Sequence, residues 1–211
     1  MLDRRSLILG LATGLAGCGI ASTPTARATP EPGDPRLRLS PQAAKLIAAA
    51  RAQIGVTLRY DPAYTALAFP SGDVPREKGV CTDVVIRAYR DAFGIDLQAL
   101  VNADMRKDFA AYPNNWGLSR TDRSIDHRRV PNLAKFLTRH GARVAVPPDG
   151  SGWQPGDIFT SMVAGKYPHI GVVSDRTGAK APLVVHNIGA GTREADVLLD
   201  WPITGRFRWQ V

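Results

Sequence analysis

The sequence predicts one α+β domain, with helices first and an antiparallel sheet after them. Three observations carry this. Apolar residues recur at helical spacing in the first half, as in Ala43, Leu46, Ile47, Ala50 and Ile54, and again in Cys81, Val84, Val85, Ala88 and Ala92. After Gly141 the pattern changes to short β-branched and aromatic runs set off by turn residues. The chain has 211 residues, 44% hydrophobic and 22% charged, which fits a single core once a leader is set aside. Helices followed by strands, with no βαβ alternation, is the α+β order.

Residues 1–18 read as an export signal. Arg4-Arg5 supplies the charged start, and Leu7 to Leu15 is apolar apart from Gly and Thr but too short to span a bilayer. Arg4-Arg5 before Ser6-Leu7-Ile8-Leu9 resembles a twin-arginine signal, so both general and twin-arginine export stay open. Leu15-Ala16-Gly17-Cys18 resembles a lipobox, in which Cys18 is lipidated and anchors the protein to a membrane; Ala26-Arg27-Ala28 is a rival cleavage point that would remove Cys18. Either route puts the domain in the periplasm or at the cell surface. Residues 19–37, rich in Ala, Thr and Pro, are expected to be a disordered tether. The folded domain should then be residues 38–211.

Ser40-Pro41 is an N-cap followed by a proline at the first helical position, and the helix should run to about Ile54 and stop at Gly55. The connection from Val56 to Lys78 is long enough to be functional, and its Tyr60 and Tyr64 either line a cleft or pack with wet tips. A second helix should run from Cys81 to Ala92 with Gly94 as its stop. A third should cover Leu97 to Ala111, with Leu97, Leu100, Val101, Met105 and Phe109 inward, before the Tyr112–Gly117 breaker that holds Trp116. A short helix from Pro131 to Arg139 leaves His140 in its last turn, where a cation suits the dipole. Strands are expected at Arg143–Val146, from Ile158, at Tyr167–Asp175, at Leu183–Gly189 and at Thr204–Val211.

The chemistry centres on Gly79-Val80-Cys81-Thr82-Asp83-Val84-Val85. Of the two cysteines the other, Cys18, lies in the leader, so the working domain has one thiol and no internal disulfide. A helix start favours thiolate; the bland alternative is a small buried hydrophobe. Nucleophilic cysteine needs a base and a group that aims the base. His169 and His186, on two neighbouring strands, suit those roles, although a histidine taken singly is more often structural. A zinc site from Cys81, His169 and His186 lacks CxxC or HExxH spacing, so no metal or organic cofactor is expected. The stretch from Arg120 to Asn132, with His127, Arg128 and Arg129, is either a loop for an anionic group or an internal ion-pair network.

The formal net charge of +8, from 27 Lys and Arg against 19 Asp and Glu, favours anionic partners such as an acidic wall polymer, unless the arginines merely solvate the surface. No basic run, zinc-finger spacing or aromatic-studded RNA motif is present, which argues against nucleic acid. The domain is expected to be a monomer.

The blocks Gly79-Val80-Cys81-Thr82-Asp83-Val84-Val85-Ile86-Arg87-Ala88, Ile125-Asp126-His127-Arg128-Arg129-Val130-Pro131-Asn132-Leu133, Pro155-Gly156-Asp157, His169-Ile170-Gly171 and Val185-His186-Asn187-Ile188-Gly189 resemble the bacterial domain of unknown function 1287, from Pro41 to the end of the chain. That family in turn resembles the NlpC-type papain-like cysteine hydrolases of the cell wall. The resemblance implies a papain-like fold with the cysteine helix packed on a C-terminal antiparallel sheet. It implies Cys81 as nucleophile, His169 as base and His186 as the third polar group, with Asn187 as a rival third member and Tyr60 as an oxyanion donor. The chain departs from the NlpC pattern in reading Val-Cys-Thr-Asp where those enzymes read Asp-Cys-Ser-Gly; Asp83 is thus an added carboxylate that opposes thiolate formation. The Arg128-Arg129 block has no NlpC counterpart. Asp83, Trp116, His127, Arg128 and Arg129 are candidate substrate-binding residues. The expected activity is cleavage of an amide in peptidoglycan stem peptides. The alternatives are a non-catalytic envelope-binding or assembly protein on the same fold, and a cysteine acyltransferase.

Overall fold

A computed structural model of the chain describes residues 39–147 and 151–211. The export signal, the Cys18 lipobox and the tether lie outside the described residues. Helix α1 (Pro41–Arg51) opens where Ser40 Oγ accepts the Ala43 N–H at 2.9 Å, with proline in the first turn. Two residue pairs, β1 (Arg59–Tyr60) and β2 (Lys78–Gly79), then run parallel on either side of the long connection. Helix α2 (Cys81–Phe93) follows at once and stops at left-handed Gly94. Helix α3 (Leu97–Lys107) is capped by Asp96, and α4 (Val130–Arg139) begins after a 3-10 turn over Asp126–Arg128. The strands are β3 (Arg143–Val144), β4 (Ile158–Val163), β5 (Tyr167–Thr177), β6 (Pro182–Asn187), β7 (Thr192–Ala195) and β8 (Ile203–Phe207). They form one antiparallel sheet in the order β3-β8-β4-β5-β6-β7. The fold is α+β. No helix among the described residues is long and apolar enough to cross a membrane.

The sheet has two buried faces. On the helical face, Ile158, Ile170, Val172, Val185 and Phe207 pack against α1, α2 and α4. On the other, Phe159, Val173 and Val184 meet Trp153, Ala181 and Leu198. Strand alternation makes this division. It also decides where the candidate residues go: Ile170 and Asn187 share the helical face, while His169 and His186 belong to the other.

Four details differ from the sequence expectations, each for a local reason. Helix α1 ends at Arg51, leaving Ile54 at 41% exposure, because buried Gln53 turns inward and its Nε2 donates to Val84 O at 2.9 Å. Helix α3 ends at Lys107, with a separate 3-10 turn at Phe109–Ala111, and Leu100 is exposed rather than inward. The inward place falls to Gln98, which accepts the Gly72 N–H and donates to Ala68 O and Arg123 O. The last strand ends at Phe207, and Trp209 instead packs its ring on Tyr89 and Phe136. Strand β7, unexpected from sequence, reads Thr-Arg-Glu-Ala and joins by backbone pairing with β6.

Candidate active site

Cys81 is the first residue of α2, and the turn before it is held from three sides. Asp83 Oδ2 accepts the Val80 N–H at 2.7 Å, closing the helix start. Asn187 Nδ2, reaching across from β6, donates to Gly79 O at 3.1 Å. Buried Arg87 donates to Lys78 O and Val74 O, to Thr57 Oγ1 and to Asp73, fastening both ends of the long connection to α2. The connection brings Tyr60 to the thiol, and its hydroxyl hydrogen-bonds to the Cys81 sulfur.

The backbone N–H groups of Ile170 and Thr82 lie near the sulfur and favour its thiolate. The β5–β6 ladder begins only at Val172↔Val185, so the Ile170 N–H is available to the thiol. Strand N–H groups lie in the plane of the sheet and side chains stand above and below it. The thiol therefore sits at the level of the sheet, next to the residue that follows His169. His169 leaves the strand on the far face, where its ring meets Phe159, Trp201 and His186 edge-on. His169 Nε2 lies 3.0 Å from His186 Nδ1, and both rings are buried. Among the described residues no hydrogen bond joins the thiol to either imidazole.

Burial governs the protonation states. It pushes the Cys81 thiol up to about 11, against the pull of its N–H and Tyr60 donors, and the Asp83 carboxylate adds to the rise. The helix start does not outweigh this. Burial lowers His169 to about 3, with His186 adding to the effect, and lowers His186 to about 4, with Arg193 adding to it. At neutral pH the resting site holds a neutral thiol beside two neutral imidazoles. Burial, and then the neighbouring thiol, also raise the Tyr60 hydroxyl, so it stays a proton donor.

A cleft opens over the sulfur, walled by Tyr60, Trp116, Arg128, Arg129, Val130 and Pro168. A second hollow, lined by His169, Tyr167, Val163 and Ile188, shares Tyr60 and Pro168 with the first. Those two side chains form a ridge between the thiol side and the imidazole side.

The remaining candidates divide. Trp116 and Arg129 line the cleft, and the Arg129 guanidinium lies 4.0 Å from the Trp116 ring centroid. Arg128 lines it too, but its Nε and Nη2 are given to Asp83 in two bonds of 2.9 Å. Asp83 is thus a buried ion-pair partner behind the wall and does not line the cleft. His127 faces the interior, away from the cleft, and burial lowers it to about 4. Asn187 makes its bonds to Gly79 O and the Gly189 N–H, on the face opposite His169. Tyr64 is exposed and hydrogen-bonds to Asp122. His140 Nδ1 lies 2.8 Å from Phe136 O at the end of α4. No group of three or more His, Cys, Asp or Glu side chains suited to a metal occurs among the described residues. Sequence reading missed the Ile170 N–H, the Pro168 ridge and the Arg87 clamp. Of these, Pro168 and Ile170, on either side of His169, stood next to a residue already singled out.

Comparison with known proteins adds family but no activity. Residues 47–209 match the family model described as "Domain of unknown function (DUF1287)". A protein of Escherichia coli (strain K12) described as "Uncharacterized protein YijF" is 53% identical over 165 residues, covering 77% of this chain and 79% of that protein. No solved structure matches the chain.

Proposed function

The chain belongs to the DUF1287 family, and we propose that it is an exported cysteine hydrolase of the cell envelope that cuts an amide bond in peptidoglycan stem peptides, on an NlpC-like variant of the papain fold. The observation that carries this reading is the convergence at β5: the backbone of Ile170 lies beside the Cys81 thiol and, one residue earlier, the strand presents an imidazole braced at 3.0 Å by a second one. Cys81 attacks the substrate carbonyl. As the carbon–sulfur bond forms, the thiol proton passes through one water across the Tyr60–Pro168 ridge to His169, whose Nδ1 is free when Nε2–H donates to His186 Nδ1. The tetrahedral oxyanion takes hydrogen bonds from the Tyr60 hydroxyl and the Cys81 N–H. His169 then gives the proton to the leaving amine as the carbon–nitrogen bond breaks. Water attacks the resulting thioester as His169 takes one of its protons, and His169 passes that proton to sulfur as the carbon–sulfur bond breaks and the acid leaves. No step calls for a metal or an organic cofactor. The basic domain meets an anionic wall polymer, and the amino-terminal segment delivers it to the periplasm or cell surface, with lipid on Cys18 as its membrane anchor.

The test is digestion of purified sacculi by the wild type and by Cys81→Ala. Muropeptide release by the wild type and none by the variant supports the reading; equal release by both ends it.

One observation favours a second reading, a non-catalytic envelope-binding or assembly protein. The thiol rests protonated and is not hydrogen-bonded to an imidazole. That reading expects sacculus binding by the wild type without release of products, and the same binding by Cys81→Ala.

A further inference from the structure

We infer that the cleft beside Cys81 contains a carboxylate-binding subsite made by Arg128 and Arg129, and that its ligand is an acidic peptide whose free carboxylate shares this cleft with the bond under attack. This rests on the cleft over the thiol being the substrate cleft.

Arg128 is held almost rigidly. Its side chain is 2% exposed, and Nε and Nη2 are both bonded to Asp83. The third nitrogen, Nη1, is buried and has no acceptor, although the residue lines the cleft. A buried charged donor without a partner is costly, and a ligand oxygen at that position removes the cost. Arg129 stands next to it on the same wall, stacked on Trp116 and tied to Asp126 by one contact of 3.2 Å.

Both partner carboxylates, Asp83 and Asp126, lie outside the cleft lining, whereas Arg128 and Arg129 are both lining residues. No other charged side chain lines this cleft among the described residues. The surface that a ligand meets is therefore cationic, even though each arginine has an acidic partner behind it. A neutral carbonyl would satisfy Nη1 alone. Two guanidinium groups side by side select an oxygen pair that carries charge. The thiol is on the same cleft, so a carboxylate held by the arginines and a carbonyl under attack belong to one bound peptide.

The test is binding by the full chain, read by NMR chemical-shift titration, of two probes: N-acetyl-glutamyl-alaninamide and its neutral counterpart N-acetyl-glutaminyl-alaninamide. The wild type should bind the anionic probe at least about 10-fold tighter, as charge-assisted bonds require. The preference should fall below about 3-fold in Arg129→Gln, and also in Asp83→Asn with Arg128→Gln, a pair that leaves no unpaired buried charge. Equal affinity in the wild type, a preference that survives both variants, or no binding of either probe at millimolar concentration overturns the subsite. If the preference is found while Cys81→Ala releases as much from sacculi as the wild type, the subsite stands and the hydrolase reading falls.

Discussion

His169 Nε2 and His186 Nδ1, on adjacent strands, are 3.0 Å apart, and one of the two nitrogens must carry the proton between them. If His169 donates, its Nδ1 keeps a lone pair for the thiol proton. If His186 donates, His169 carries its proton on Nδ1 and cannot act as a base.

The two histidines should therefore fail differently. His169→Ala removes the base and should lower turnover of sacculi about 10²–10⁴-fold. His186→Ala leaves the base but not its tautomer, and should cost less, on the order of 10–10²-fold. His186→Gln, which can still place an acceptor there, should recover part of that loss. Identical losses in all three variants would mean that His186 does not aim His169.

Thiol reactivity should follow burial rather than helix position. Alkylation of Cys81 by iodoacetamide, followed by mass spectrometry of its peptide, should be slow at neutral pH and keep rising past the ordinary thiol value of 9.0 towards about 11. A rate that has levelled off by pH 9 would contradict this.

Acid should destabilise the fold before carboxylates titrate. His127, His169 and His186 all sit below the ordinary histidine value of 6.5 when folded. The unfolded chain takes up protons that the folded one refuses, so stability is full above 6.5 and falls as pH drops towards the folded values. Each group contributes up to about 1.4 kcal/mol per pH unit below 6.5. Urea midpoints should fall between pH 7 and 5, and His127→Gln should flatten the slope. A midpoint that does not move across that range would exclude the three buried neutral imidazoles.

The Asp83–Arg128 pair should be costly to break and cheap to remove. Either Asp83→Asn or Arg128→Gln alone leaves a buried charge facing a neutral amide and should destabilise by about 3–5 kcal/mol. The double variant should regain most of that in urea unfolding. Losses that simply add would show that the two side chains act independently.

The helix boundaries that caps encode were legible, as Ser40 and Gly94 show. The choice of sheet face was legible too, because a period of two sets His169 apart from Ile170, and His186 apart from Asn187. Burial was not, because it depends on what covers a face. Nothing local marks Gln53 or Gln98 as buried; distant carbonyl oxygens, Val84 O on α2 and Ala68 O in the long connection, take their amides inward. The Asp83–Arg128 pair joins residues 45 positions apart, through a loop whose path no local pattern encodes. Burial also reverses the thiol: the helix start suggested an acidic sulfur, and the enclosure outweighs it.

Asn187 ties the strand of His186 to the turn that delivers Cys81, through one bond of 3.1 Å to Gly79 O. Cys81 and His186 thus hang from a shared crossbar rather than from separate mounts. A shift of the helix relative to the sheet would have to break or stretch that bond before it changed the spacing between them.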